Sequence, residues 1–201
     1  MPPVTRALII ANVIGFVLEL ALGGPIIDWF GLWPGGGSGL AALPLSAPWQ
    51  LVSYSFLHGS LWHLAFNMFG LWMFGSELER LWGARRYLIC YFSSVLSGAL
   101  TQLLVAGAIG GVGGPVIGAS AGVFGLLLGF AMYFPYRTVV LLFPPIPMPA
   151  RIFVLVYALV ELTLGVTGTQ AGVAHFAHLG GMLGAYLSIQ SARGRFPFGW
   201  R

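Results

Sequence analysis

The stretch "GASAGVFG", residues 118–125, sets a single serine, Ser120, among glycines at the start of an apolar run. Two questions hang on it. If the run is a membrane span, short and Gly-rich as it is, it completes an even number of crossings. Ser120 is then either a small residue that lets two helices touch or a nucleophile. Serines among glycines serve close helix packing in lipid. A serine at a helix N-terminus also meets free backbone N–H groups and the positive end of the dipole, which suit an oxyanion. Both readings stand at this point.

The solvent of the chain is lipid. Of 201 residues, 58% are hydrophobic and 7% charged, where a soluble domain carries roughly a quarter charged. The mean hydropathy is +0.89. Too few charges are present to cover a water-facing surface. The length suits one compact membrane domain over residues 1–201, without a sizeable soluble module. The net charge of +4 comes from arginines scattered between apolar runs. They form no basic patch, so a nucleic-acid partner is not expected. Cys90 is alone, makes no internal disulfide and reads as a small core residue. "MPPVTRALII" at the N-terminus is followed by more membrane-like sequence, so it reads as a first span rather than a signal peptide.

A spanning helix needs about 20 mostly apolar residues. Six candidates are present, at about 4–23, 57–77, 86–108, 118–134, 150–168 and 173–191. Six crossings put every arginine on one side. Arg6 precedes the first span, and Arg80, Arg85 and Arg86 separate the second and third. Arg137 and Arg151 flank the fourth connection, and Arg193, Arg195 and Arg201 follow the sixth span. The other connections hold no arginine. This positive-inside pattern predicts cytoplasmic termini, and a miscount by one would scramble it.

The connection 24–56 holds Trp29, Phe30, Trp33 and Trp49 among Gly and Pro. It reads either as a membrane-associated loop in the outer leaflet or as an outer loop anchored by aromatics. Spans two, four and six begin on that same side, and the polar residues of interest lie there. Span two carries His58, His63 and Asn67 in "HGSLWHLAFN", span four carries Ser120, and span six carries His175 and His178 in "HFAHLGG". His63 and Asn67, four apart, share a helix face. Gly180, Gly181 and Gly184 offer span six a smooth face, and Gly118, Gly122, Gly125 and Gly129 offer one on span four. Packing these faces would bring His178 toward Ser120, and histidine is the usual base for a serine. Each residue alone also has an ordinary structural explanation. Their convergence on one side favours function, since polar groups within spans are costly.

Four stretches together resemble the rhomboid intramembrane serine proteases, in the minimal six-span bacterial form. They are "PWQLVSYSFLHGSLWHLAFNM" (48–68), "FGSELERLWGARRYLICY" (74–91), "GASAGVFG" (118–125) and "AHLGG" (177–181). The resemblance implies an all-α polytopic fold: six helices in a compact bundle, with a membrane-associated loop between the first two. It implies Ser120 as nucleophile, Gly118 as the leading glycine of its motif, and His178 as base. His63, Asn67 and the Ser120 backbone N–H are implied to stabilise the oxyanion. His58 and Glu79 carry structural roles, Glu79 in an E-x-x-x-G with Gly83, and His175 is left structural. Two departures stand out. Trp49–Gln50 replaces a Trp-Arg of some members, which leaves the hydrogen bonding of the loop unassigned. Phe124 replaces a tyrosine that stacks on the catalytic histidine, keeping the ring and losing the hydroxyl.

The function so implied is hydrolysis of peptide bonds in single-span membrane proteins by a Ser–His dyad, near the outer face, without cofactor or metal. Of the five acids, Glu19, Asp28, Glu77, Glu79 and Glu161, no motif links any to His178. A water-holding cavity lined by His58, His63, Asn67, Ser120 and His178 is expected. The setting implied is a bacterial inner membrane; the oligomeric state is unread. Two rivals remain. One is a rhomboid-like binder that does not cut; the other is a small transporter using Asn12, Glu19 and Glu161. Under the protease reading Glu161→Gln is expected to affect stability only. The H-x-x-H at His175 and His178 is too weak a pattern for a metal site.

Overall fold

The structure, a computed structural model, describes residues 1–34, 47–109, 114–140, 145–168 and 173–194. It is mostly helical. α1 is Pro3–Leu22, α2 Gly24–Phe30, α3 Gln50–Ser53 and α4 Leu61–Gly70. A short π-helical segment, Leu71–Gly75, joins α4 to α5 (Ser76–Ile109). α6 is Ser120–Tyr133, α7 Ala150–Thr167 and α8 His175–Ala192. A two-stranded antiparallel ribbon, β1 (Thr138–Val140) with β2 (Pro147–Pro149), connects α6 to α7. The all-helical expectation did not include this ribbon. Arg195 and Arg201, all of the connection 169–172 and parts of the connections around 24–56 and 109–117 lie outside the described residues.

Three helical runs are long and apolar enough to cross a bilayer: Pro3–Leu22, Leu61–Ala108 and Ala150–Thr167. The second is 48 residues long and is broken at Gly83, whose φ of 76° and ψ of 166° are non-helical. Positive φ is open to glycine without a Cβ penalty. The break falls between the second and third expected spans. α6 is a shorter apolar helix.

α1 is built inside out. Its buried residues are Thr5, Leu8, Asn12 and Glu19, one face at helical spacing, while Ile10, Val13, Ile14 and Val17 are exposed. Such a helix turns its polar stripe to the protein and its apolar side to lipid. Glu79 closes its N-terminus. One carboxylate oxygen accepts from the Val4 N–H at 2.9 Å; the other accepts from the Thr5 N–H at 2.6 Å and the Thr5 hydroxyl at 2.7 Å. These are orphan donors of a first helical turn, and an acid there also meets the favourable end of the dipole.

Glycines set how the helices meet, but not as one stripe against another. A Cβ at Gly181 would run into the Ala121 carbonyl of α6. Gly180 and Gly184 instead lie against Thr101, Ser97 and Ser93 of α5. On α6, Gly125 meets Ser94 and the Gly181 carbonyl, and Gly122 meets Tyr91. α8 is thus wedged between α5 and α6, with Gly181 alone of its three glycines on the α6 side. The expected close approach of these two helices is made at Gly125 and Gly181, while Gly180 and Gly184 serve the contact with α5 instead. Ser, Thr and Tyr side chains of α5 fill the space that a second stripe would have filled.

The arginine contacts collect at the C-terminal end of α6. Arg137 and Arg80 share Glu77 at 3.1 and 3.0 Å. Arg151 lies over the Tyr136 ring and Arg193 over the Tyr133 ring. Ser120 is at the other end of the same helix.

Candidate active site

α6 begins at Ser120 itself, so the serine occupies the first helical position and its N–H has no partner within the helix. The approach to it is tied down on two sides. Leu32 and Val116 exchange backbone hydrogen bonds at 3.0 and 2.7 Å, and the Gly118 N–H donates to the Tyr54 carbonyl at 2.9 Å. Gly118 has φ +124°, and a Cβ there would sit 2.7 Å from His63 Nε2 and 3.7 Å from Ser120 Oγ. The bare α-carbon is therefore what lets the His63 imidazole come up beside the serine hydroxyl.

His63 is oriented by the start of α4. Ser60 caps that helix, its hydroxyl accepting from the His63 N–H at 3.1 Å. Because of this cap the helix starts at Leu61, and His58 lies before it rather than on the second span as the sequence suggested. His58 is fully buried, edge-on to His63 with ring centroids 5.0 Å apart. Its N–H donates to the Glu19 carboxylate at 2.8 Å, which ties the end of α1 to the start of α4. Asn67 is buried one turn beyond His63, and its Nδ2 donates to the His63 carbonyl at 2.9 Å.

His178 stands in the first turn of α8 with Nε2 2.7 Å from Ser120 Oγ. Phe124, one turn along α6 from the serine, stacks flat on it, with centroids 4.4 Å apart and planes 6° from parallel. The contact needs a ring and no hydroxyl, which explains how phenylalanine serves there. The other nitrogen, Nδ1, lies 2.8 Å from Glu161 Oε2, and His175 Nδ1 lies 2.7 Å from the same oxygen. The sequence reading linked no acid to His178 and missed this one. Glu161 sits on α7, and no spacing in the chain announces that α7 lies against the start of α8. An acid set within an apolar span, with two histidines opening the next span, was the only signal in the chain.

The loop contact left unassigned by Gln50 is also settled. Trp49 Nε1–H and Gln50 Nε2–H both donate to the Trp29 carbonyl, at 2.9 and 3.2 Å. Trp29 and Trp49 remain exposed. A cavity of about 550 Å³ opens between the end of α1 and the start of α4. Of the five residues expected to line a water-holding cavity, it takes His58 alone; Phe16, Glu19, Leu20, Ile27 and Leu61 supply much of the rest. Ser120 and His63 are themselves only half-buried, so the serine is not sealed off by the tight His63–Gly118 approach.

Glu161, His175 and His178 could in principle ligate a cation, their donor atoms lying within 4.8 Å of one another. Both Nδ1 atoms, however, are within 2.8 Å of one carboxylate oxygen. Ligands on a tetrahedral ion at zinc distances stand about 3.3 Å apart. The cluster is closed as a hydrogen-bonded set, not opened around an ion. The polar residues of the transport rival do not converge either: Asn12 bonds the Leu8 carbonyl and Glu19 the His58 N–H, both apart from Glu161.

A hydroxyl, an imidazole and a carboxylate in line, with a glycine-rich approach, are the parts of a serine hydrolase. The Rhomboid domain family model matches residues 46–192, the segment that carries all of them except the α1 contacts. This chain belongs to the rhomboid family. It is 32% identical over 142 residues to "Rhomboid protein 1, mitochondrial" of Saccharomyces cerevisiae, covering 67% of this chain and 39% of that protein. It is 25% identical over 140 residues to "Rhomboid protease GluP" of Bacillus subtilis, 70% and 25% of the two chains. Against "Rhomboid protease GlpG" of Serratia proteamaculans it is 30% identical over 115 residues, 57% and 40%. The aligned part is thus two fifths or less of these rhomboid relatives. Family and apolar helices together make this rhomboid an integral membrane protein.

Proposed function

We propose that this chain is an intramembrane serine endopeptidase that hydrolyses a peptide bond of single-span membrane proteins. The observation that carries the reading is the 2.7 Å contact between Ser120 Oγ and His178 Nε2. That distance and pairing suit proton transfer from a nucleophile to its base. His178 Nε2 takes the Ser120 proton as Oγ adds to the substrate carbonyl carbon. The same proton goes to the leaving amine when the C–N bond breaks, leaving an acyl-serine. Water, deprotonated by His178, then releases the acid and restores Ser120. The oxyanion of each tetrahedral intermediate meets the free N–H of Ser120, with His63 beside Gly118 as a second donor.

The orientation that fits is six crossings with both termini in the cytoplasm of a bacterial cell and the site open to the outer side. The arginine contacts at the C-terminal end of α6 support it. α6 has 14 residues, about 21 Å, against a hydrocarbon layer of about 30 Å. With its C-terminal end at the inner boundary, Ser120 lies below the outer one, within reach of a span entering from lipid. Such a span hides its carbonyls in helical hydrogen bonds. Substrates with Gly or Pro near the cut are therefore preferred, because they unwind at lower cost.

Labelling with a fluorescent serine-directed phosphonate tests the reading. Folded wild type in mild detergent is expected to label, and Ser120→Ala and His178→Ala are not. A wild type that stays dark would transfer support to a rhomboid-like binder that does not cut. A smaller effect is expected at Asn67. One of its two Nδ2 protons is spent on the His63 carbonyl, and the second is left for the oxyanion. Asn67→Ala should lower kcat by about 100-fold, the scale of one lost oxyanion donor. A loss as large as that of Ser120→Ala, in folded protein, would contradict this ranking.

A further inference from the structure

Glu161 is costly where it stands. It is 7% exposed, on a helix apolar enough to span a membrane. A carboxylate buried there persists only when its oxygens are well satisfied. One oxygen, Oε2, accepts from two imidazoles, His178 Nδ1 at 2.8 Å and His175 Nδ1 at 2.7 Å. A carboxylate accepts and does not donate. Each Nδ1 therefore carries its proton, and neutral His178 presents a bare Nε2 to Ser120. This is the tautomer a base needs, assigned from the bonding partners.

Two restraints then define the imidazole. Phe124 lies flat against one face of the ring and fixes its plane. Glu161 holds the edge opposite Ser120 and fixes rotation within that plane. Tyr157, one turn before Glu161 on α7, backs Phe124 edge-on at 6.0 Å. The only polar side-chain contact of His175 among the described residues is with Glu161, and its Nε2 is buried without a hydrogen-bond partner there. Bridging α7 to α8 would need only the His175 contact. The second bond, to the nitrogen opposite the reactive one, is what a bridge does not explain.

We infer that Glu161 is the positioning residue of this site, completing a Ser120–His178–Glu161 array in which His175 anchors the carboxylate. The inference rests on the Ser120–His178 reading above. In each turnover the Ser120 proton travels to His178 Nε2 and on to the leaving nitrogen. No proton passes to Glu161, which holds Nδ1–H throughout and stabilises the imidazolium while it lasts. The expectation that Glu161→Gln affects stability alone is replaced.

The test compares wild type, Glu161→Gln, Glu161→Asp and His175→Ala on one single-span substrate in liposomes, with kcat and KM measured separately. Thermal unfolding is recorded for each. Glu161→Gln is expected to lower kcat by about 100-fold or more with KM within twofold of wild type. Glu161→Asp should recover at least tenfold of that loss, because a carboxylate is restored at nearly the same place. His175→Ala, which keeps the carboxylate and removes its anchor, should lower kcat about tenfold. The inference is overturned if Glu161→Gln keeps wild-type kcat, or if Asp and Gln lose kcat equally. It is also overturned if kcat falls only in step with thermal stability. Should Glu161→Gln fail to fold, the His175→Ala split decides: an unchanged kcat counts against the array. A wild type that neither cleaves nor labels at Ser120 would sink the protease reading itself, an outcome distinct from all of these.

Discussion

Ser120→Ala, His178→Ala and the double variant are each expected to lower kcat by about the same factor, on the order of 10⁶. The reason is geometric. Ser120 Oγ and His178 Nε2 share one hydrogen bond of 2.7 Å. A serine hydroxyl without its base is a weak nucleophile, and the base without the serine has nothing to deprotonate. Groups that act as one unit lose their effect once, whichever is removed. The residual rate comes from substrate binding and the oxyanion donors, which none of the three variants touches. The measurement is single-turnover cleavage of a single-span substrate by all four proteins. Losses that add from the single variants to the double would mean that Ser120 and His178 work separately.

Gly181→Ala is expected to lower kcat/KM by about 100-fold, although Gly181 touches no reacting group. The added Cβ would overlap the carbonyl of Ala121, the residue that follows Ser120. Relief requires α8 to back away from α6, and His178 lies one turn before Gly181 on α8. Displacing a catalytic group by about 1 Å can cost 100-fold. Gly125 leaves the helices no slack from the other side, because its own Cβ position is taken by Ser94 and by the Gly181 carbonyl. Gly107 is the control: nothing lies within 4 Å of a Cβ there, so Gly107→Ala should leave both rate and stability at or above wild type. Equal behaviour of the two alanine variants would show that the α6–α8 contact does not set the distance from Ser120 to His178.

The two halves of the site were not equally legible. Ser120 and His178 stand in short motifs with neighbours of fixed type, and His63 and Asn67 share a helical period. Phe124 could be read as a stacking ring only through the family resemblance, which puts a tyrosine at that place in some members. Glu161 had no such context. Its partners are 14 and 17 residues away, across a helix end and a connection, and no local periodicity reaches that far. The glycines failed in a related way. Their spacing marked α8 as a helix for close packing, but Gly180, Gly181 and Gly184 are divided between α5 and α6. Spacing identifies a smooth face without naming the neighbour.

What the sequence by itself determined was the solvent and the residues from which the proposed site is built. Few charges, long apolar runs and arginines confined to alternate connections follow from composition and order along the chain, because transfer into lipid is decided residue by residue. The motif residues follow as well, because their spacing along a helix is local. What only the tertiary structure decided was which groups touch. Glu79 closing α1, Gln50 and Trp49 meeting on one carbonyl, and Glu161 holding two imidazoles are all contacts between distant segments. Each depends on how helices cross, and that is set by packing and by the need of every buried polar group for a partner.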